Sequence, residues 1–375
     1  MFSLKDASSV AREGEVAAAI EAVDRYLLSA SGPQHFRRMQ QASSGEADAA
    51  AYRGLASLGL TTAFVPESLG GSGFAPGVAA LVGERLGWSL AREPFIENVV
   101  LPSTLLQALG APPSGDAEVV CVAWQEGAFA PPDAATIRTK ATVEGAGIRL
   151  AGTKRFVMGA RASTRMLVLA SMGDAPAIVS IPASKATRTD KRLADRSAWS
   201  DVAFDVRLEP SAVLARGDEA LRALSHALDL ANLAIAGVLH GLQSRILAMT
   251  LEYLGTREQF GRRLGSFQAL QHRAVDLYNH AQIARFLLGE AVDAIGHQVA
   301  APTLAAYASR AKARTADSAL RIAKDGMQMH GAIGFSDEYD LGLYVKRVLV
   351  LSAWLGGAVW HRRRYAALEP SLAEA

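Results

Sequence analysis

From about residue 211 to its end the chain keeps returning to one pattern, apolar residues at three- and four-residue steps. Ile235, Val238, Leu239, Leu242, Ile246, Met249 and Tyr253 make one stripe; Phe267, Leu270, Ala274, Leu277, Ala281 and Ala284 make another. That spacing places apolar side chains on one face of a helix. Helices are predicted at 220–254, 267–299, 303–329 and 341–364. Faces this long must be buried, so the C-terminal part, 211–375, is expected to be four long helices packed on apolar faces. The order of elements also excludes alternating strand and helix, and with it a nicotinamide-binding doubly wound sheet.

The middle of the chain, 116–210, changes period. Short β-type runs (VVCVAW, TIRTKATVEG, GIRLAG, RFVMG, RMLVLAS, AIVSIP, DVAFDVRL) are separated by Gly, Pro and Asp. Ile137, Thr139, Ala141 and Val143 alternate, and Gly145, Gly147 and Gly152 mark turns. This predicts a central antiparallel β-domain. Residues 1–115 read as a helical domain, with helical spacing over 15–28, an alanine-rich stretch over 49–58 and a further helix over 78–90. Between them, the glycine-rich GLTTAFVPESLGGSGF lacks the strand-to-helix context of a phosphate loop and reads as a structural turn. The fold class is therefore α+β, in three parts.

Composition excludes several classes. A net charge of +2 on 375 residues gives no electrostatic footprint for nucleic acid. The single cysteine, Cys121, lies in an apolar run, reads as a buried core residue, and fits a reducing compartment. No signal core or uninterrupted apolar span is visible, so neither export nor a membrane span is expected and the cytoplasm is the default location. There is no CxxC, HExxH or Walker loop, and the eight histidines are scattered.

One polar stretch interrupts the helical region: REQFGRRLGSFQ, Arg257 to Gln268. It sets three arginines, a bare phenylalanine and two glycines between helices. Such a cationic fork beside flexible backbone suits a phosphate-bearing ligand or a subunit contact; a solvated basic turn has the same composition.

Together with GLTTAFVPESLGGSGF, AGTKRFVMGA and QMHGAIGFSDEYDLGLYVKR, in this order and spacing, that stretch resembles the acyl-CoA dehydrogenases over nearly the whole chain. The resemblance implies an N-terminal helical domain, a central β-domain and a C-terminal four-helix bundle over 211–375; it also implies FAD, an acyl-CoA substrate oxidised to its 2,3-enoyl thioester, an electron-transfer flavoprotein or similar acceptor, and a tetramer. It implies that Arg257 reaches the cofactor pyrophosphate, that Phe260 lies along the same motif, and that Gln268 serves the adenosine end. Gln328 and Gly331 match the glutamine and first glycine of the later QxxGG signature, whose second glycine is Ala332 here.

The departures concern the reacting centre. The family's usual base position carries Leu355, and its alternative position carries Ala231; neither can accept a proton. The nearest acid, Asp229, stands two residues away, about 200° round the helix, and reads as a surface or interface acid, retained as a candidate base. The family's Trp-x-Thr reads Phe156, Val157, Met158, and its Glu-Pro-Gly-Ala-Gly-Ser loop reads Gln125, Glu126, Gly127, Ala128, Phe129, Ala130. Some bacterial members resemble paired subunits that share composite FAD sites. Loss of the base with retention of the nucleotide-end residues implies the base-less subunit of such a heteromer. A homotetramer with a non-standard base and a flavin-dependent monooxygenase on the same fold remain alternatives. Ala231, Ala234 and Ala236 leave room for a bulky acyl group or for close helix packing.

Overall fold

The computed structural model describes residues 10–41, 45–115, 117–296 and 300–368. The N-terminal nonapeptide and the predicted helical residues 297–299 lie outside them. In the N-terminal part come α1 (Val10–Ala30), α2 (Pro33–Gln41), α3 (Gly45–Ser57) and α4 (Val78–Trp88). A π-helical turn at Ile96–Val100 leads into α5 (Leu101–Ala108). An eight-stranded sheet follows: β1 (Val120–Ala123), β2 (Lys140–Glu144), β3 (Gly147–Met158), β4 (Arg165–Met172), β5 (Ala175–Pro182), β6 (Thr187–Arg192), β7 (Ala198–Leu208) and β8 (Val213–Arg216). Then come α6 (Asp218–Thr256), a hairpin of β9 (Glu258–Gln259) and β10 (Arg262–Arg263), α7 (Gln268–Gly296), α8 (Ala301–His330), α9 (Leu341–Ala353) and α10 (Ala358–Leu368).

By contacts the chain forms two compact units. One comprises Met1–Met39, Pro76–Arg92 and Asn232–Ala375; the other comprises Gln40–Ala75 and Glu93–Ala231.

The sheet-bearing unit has its core between the sheet faces, where Cys121, Leu150, Met166, Val168, Val179 and Ile181 are buried. Burial raises the Cys121 thiol to about 12, which keeps it an inert core group. The sheet is mixed, which corrects the antiparallel expectation. The order is β6-β7-β3-β2-β4-β5-β8, and β4 also takes β1 alongside it in parallel, as well as a single parallel bridge from β2. The parallel pairs arise because β1 and β2 both reach β4 across long excursions rather than hairpins. GIRLAG and RFVMG, expected as separate strands, are one strand. Gly152 lies inside it at φ +149, where a Cβ would stand 2.7 Å from the Thr139 backbone, so glycine serves a close approach and not a turn. β6 was not visible in the sequence pattern because TRTDKR carries no apolar alternation; as an edge strand it is exposed throughout. The glycine-rich loop is a structural turn: the amides of Ser72, Gly73 and Phe74 donate back to Thr62, Val65 and Ala63.

In the helical unit, α6 and α4 cross at backbone contact. Gly237 lies against the Ala80 carbonyl, Gly241 against Glu84, Gly87 against Val238 and Gly83 against Ala234. The small residues of α6 at Ala234 therefore serve helix packing. α8 packs against α7, α9 and α10, and Gly326 of α8 meets Ile246 and Thr250 of α6. Asp218–Thr256 and Leu341–Leu368 are long and apolar enough to cross a membrane by composition. However, 83% of the first window is buried inside the protein, as for a core helix. The second is interrupted at 354–357.

The helix expected over 341–364 is thus two helices. The apolar pattern runs on because residues on both sides of the break are buried, so periodicity alone does not register it.

Candidate functional site: the flavin-type nucleotide end and the missing base

The REQFG stretch is a hairpin, not an irregular turn. Glu258 pairs with Arg263 and Gln259 with Arg262. Phe260 and Gly261 form the two-residue loop at φ +55 and +76, which is the primed turn that matches strand twist. Phenylalanine is an unusual residue in the left-handed region and is strained there. Its ring is also 88% exposed, with an edge-to-face contact to Phe267 at 6.3 Å. Arg262 lies over the Phe267 ring at 3.9 Å, which stiffens the base of the loop. Leu264 donates its amide to the Arg257 carbonyl and so anchors the hairpin to the end of α6.

Arg257, Phe260, Gln268, Gln328 and Gly331 are all exposed. Among the described residues the side chains of Arg257, Gln268 and Gln328 have no hydrogen-bond partner and Arg257 pairs with no carboxylate. Gly331 has φ +65 and ψ −140, a conformation open to glycine alone, and nothing stands within 4 Å of the place a Cβ would take. The groups needed to approach a phosphate or a nucleotide edge are therefore free and bare, which is the donor set an FAD nucleotide tail requires.

His330 joins the two motifs. Its ring stacks on Tyr253 at 4.5 Å, one helical turn before Arg257. Its Nδ1–H donates to the Gly326 carbonyl at 2.7 Å, and its Nε2 accepts from the Tyr339 hydroxyl at 3.2 Å. Burial lowers its pKa, with the carbonyl contacts opposing, and both ring nitrogens are taken. His330 is thus a packed, hydrogen-bonded clamp that brings segments some seventy residues apart to one end of the unit.

The ring-side motifs meet in the other unit. The Arg155 amide donates to the Gln125 carbonyl at 2.7 Å, so the Gln125–Ala130 loop lies beside the Phe156–Met158 stretch. A register shift between Lys154 and Val157 puts Phe156 at φ +58 against Trp199, at 4.4 Å. Glu126 ties the loop down: it accepts from the amides of Arg138 and Thr139 and from Lys154 at 2.5 Å. Burial pushes the Lys154 ammonium down to about 8, and Glu126 opposes the fall.

Leu355 and Ala231, which the resemblance puts at the base positions, are hydrocarbon. Leu355 is buried at φ +55 and Ala231 is fully buried. Asp229, expected at a surface or interface, is buried at 4% exposure: α6 is enclosed on every side over 227–243, so its angular offset from Ala231 does not take it to solvent. Glu93, Asp195 and Asp325 are buried carboxylates too, and none was singled out from the sequence. Glu93 precedes the π-helical turn, an element enriched at functional sites. Among the described residues no His, Cys, Asp and Glu cluster fits a metal.

The break at 354–357 is organised by side chains. His361 donates Nε2–H to the Leu355 carbonyl at 3.1 Å. Burial, then the charge of Lys312, lowers the His361 pKa to about 3. The folded chain thus keeps this imidazole neutral while the unfolded chain protonates near the ordinary value of 6.5. Stability from this group is present above that value and falls by about 1.4 kcal/mol per pH unit as pH drops towards 3. Urea unfolding between about pH 6 and pH 4 should therefore show a shallower loss for His361→Gln than for the parent.

Comparison with known proteins agrees with this geometry. The model of the "Acyl-CoA dehydrogenase, C-terminal domain" matches residues 218–367. The chain is 29% identical to acyl-CoA dehydrogenase IpdE2 of Mycobacterium tuberculosis over 77% of each chain. Its fold superposes on a variant of the Tcur3481–Tcur3483 steroid ACAD with a TM-score of 0.83 at 27% identity, covering 97% of this chain and 99% of that one. Over nearly its whole length the chain is similar to acyl-CoA dehydrogenases, and over 218–367 it matches the model of their C-terminal domain. The ChsE4–ChsE5 complex of Mycobacterium tuberculosis matches with a TM-score of 0.81 at 25% identity, covering 96% of this chain and 97% of that one. FAD is the cofactor of this family.

Proposed function

We infer that this acyl-CoA dehydrogenase chain is the base-less subunit of a heteromeric, FAD-dependent enzyme that desaturates an acyl-CoA thioester. The observation that carries the reading is the contrast between two places in the chain. At one end of the helical unit, Arg257, Gln268, Gln328 and Gly331 stand free around the Tyr253–His330 clamp. At Leu355 and Ala231 the chain offers only hydrocarbon.

Bound FAD supplies the hydride acceptor. In this chain the Arg257 guanidinium would hold the pyrophosphate through its paired donors, Gln268 and Gln328 would serve the nucleotide end, and Gly331 would let backbone come close. The Phe260 loop, rigid and exposed, extends the same surface. The α-proton leaves to a carboxylate of the partner subunit, because a general base must reach its proton within hydrogen-bond distance and leucine has no acceptor. Electrons pass on to an electron-transfer flavoprotein or similar acceptor.

A partner is also favoured by surface chemistry. Val275, Tyr278, Ile283 and Phe286 leave an exposed apolar stripe along α7, and Phe335 is exposed nearby in sequence to Gly331; contiguous apolar surface of this kind marks association. The two-subunit names of two fold relatives, one of them called a steroid ACAD, favour a ring-bearing acyl group as substrate. A cytoplasmic setting fits such an assembly.

Co-expression with a homologous subunit that carries the family base tests this. The pair is expected to co-purify with FAD and to form enoyl-CoA. Stoichiometric FAD and robust enoyl-CoA formation by this chain alone would refute the reading. The buried carboxylates Asp229 and Glu93 favour one competitor, a homomeric enzyme with a non-standard base. In that case Asp229→Asn or Glu93→Gln abolishes turnover of the lone chain.

A further inference from the structure

Lys312 lies in the middle of α8 and its side chain is fully buried. Its Nζ donates to the carbonyls of Leu351 at 3.0 Å, Ser352 at 3.3 Å, Trp354 at 3.1 Å and Gly356 at 3.3 Å. An ammonium has three N–H groups, so four carbonyls share them. Among the described residues it pairs with no carboxylate, and burial pushes its pKa down to about 7. The carbonyl dipoles oppose that fall by favouring the charged form.

The contacts have one target. The last carbonyls of α9 and those on both sides of Leu355 go to Lys312, while the Leu355 carbonyl goes to His361 of α10. Leu355 between them is held at φ +55 and Gly356 at φ +104. Left-handed backbone at a leucine persists only when its surroundings over-determine it. A buried ammonium is a costly way to end a helix, where a glycine cap or water would serve. The charged groups reaching His361, and so the turn, are Lys312 and Arg364.

We propose that Lys312, with His361, is a positioning residue that fixes the backbone at 355 whichever side chain stands there, so that this chain retains an intact socket for an acid–base group now filled by leucine. The inference rests on the reading of Leu355 as the equivalent of the family's base. It assigns the buried ammonium two effects: it sets the direction of the residue at 355, and it would favour the ionised form of a carboxylate placed there. In the present chain the same device holds an apolar plug in place.

The test compares Leu355→Glu with Leu355→Glu/Lys312→Met, following the carboxyl stretch at 355 by infrared difference spectroscopy against the matching leucine backgrounds. The carboxylate is expected to titrate lower with Lys312 present, by about one pH unit or more. Identical titration in both backgrounds would overturn the proposal. Should Lys312→Met fail to fold, Lys312→Ala gives the same comparison with methylammonium as a removable cation. Methylammonium is then expected to raise the melting temperature of Lys312→Ala where equimolar sodium chloride does not; equal effects of the two salts count against the proposal. A chain that never assembles with flavin sinks the subunit reading but leaves the titration difference standing.

Discussion

Gly237→Ala is expected to lower the unfolding free energy by about 3 kcal/mol, at the upper end of overpacking costs. The new Cβ would stand 2.1 Å from the Ala80 carbonyl oxygen. Most small-to-large substitutions find relief in a rotamer change of a neighbouring side chain; here the obstacle is the backbone of another helix, so α4 and α6 must separate. The contact is reciprocal, since a Cβ on Gly87 would stand 2.1 Å from the Val238 oxygen and one on Gly241 2.0 Å from that of Glu84. The double substitution Gly87→Ala/Gly237→Ala is therefore expected to unfold the helical unit at ambient temperature. Gly255→Ala is the control: it lies in the same helix with open space around it, and is expected to be neutral or to stabilise by up to about 1 kcal/mol through helix propensity. Circular dichroism during urea unfolding reads all three.

The second large effect concerns the flavin. Arg257→Ala in the co-expressed complex is expected to weaken FAD binding about a hundredfold, the loss of about 3 kcal/mol carried by two charge-assisted hydrogen bonds. Arg257 is exposed and, among the described residues, pairs with no carboxylate, so folding should be untouched and the melting temperature of the flavin-free chain unchanged. Arg257→Lys is expected to recover only part of the affinity, because a point charge replaces a planar fork. Equilibrium dialysis of FAD against the complex measures this, and unchanged retention would remove Arg257 from the nucleotide end.

The parts of this molecule that sequence made legible are those set by local periodicity. Long stripes such as Ile235 to Tyr253 fix helices because each residue repeats the same choice of face. The apolar β runs place β1, β4, β5 and β7 in the same way. What stayed hidden depends on contacts remote in sequence. β6 is built from charged residues that pair only because β7 is there. The end of α9 is invisible to periodicity, since Lys312 from α8 and His361 from α10 impose it. Asp229 looked like a surface acid because helix angle fixes direction relative to a neighbour, not what encloses the helix. Glu93 was hidden beside Pro94. The hairpin at Glu258–Arg263 was read as a turn because two-residue strands carry no period.

The REQFG and QMHG stretches were legible as motifs, but their meeting was not. Tyr253 and His330 each look like an ordinary helix residue, and only their stacking brings the REQFG and QMHG stretches together. The leucine and alanine that the resemblance puts at two base positions are both buried.

The most direct measurement is exchange of the acyl-CoA α-proton with deuterium oxide, with FAD present, across a panel of thioesters. The account predicts no exchange above the protein-free rate for this chain alone, and exchange once a base-bearing homologous subunit is added. Exchange by the lone chain, lost in Asp229→Asn or Glu93→Gln, would contradict it.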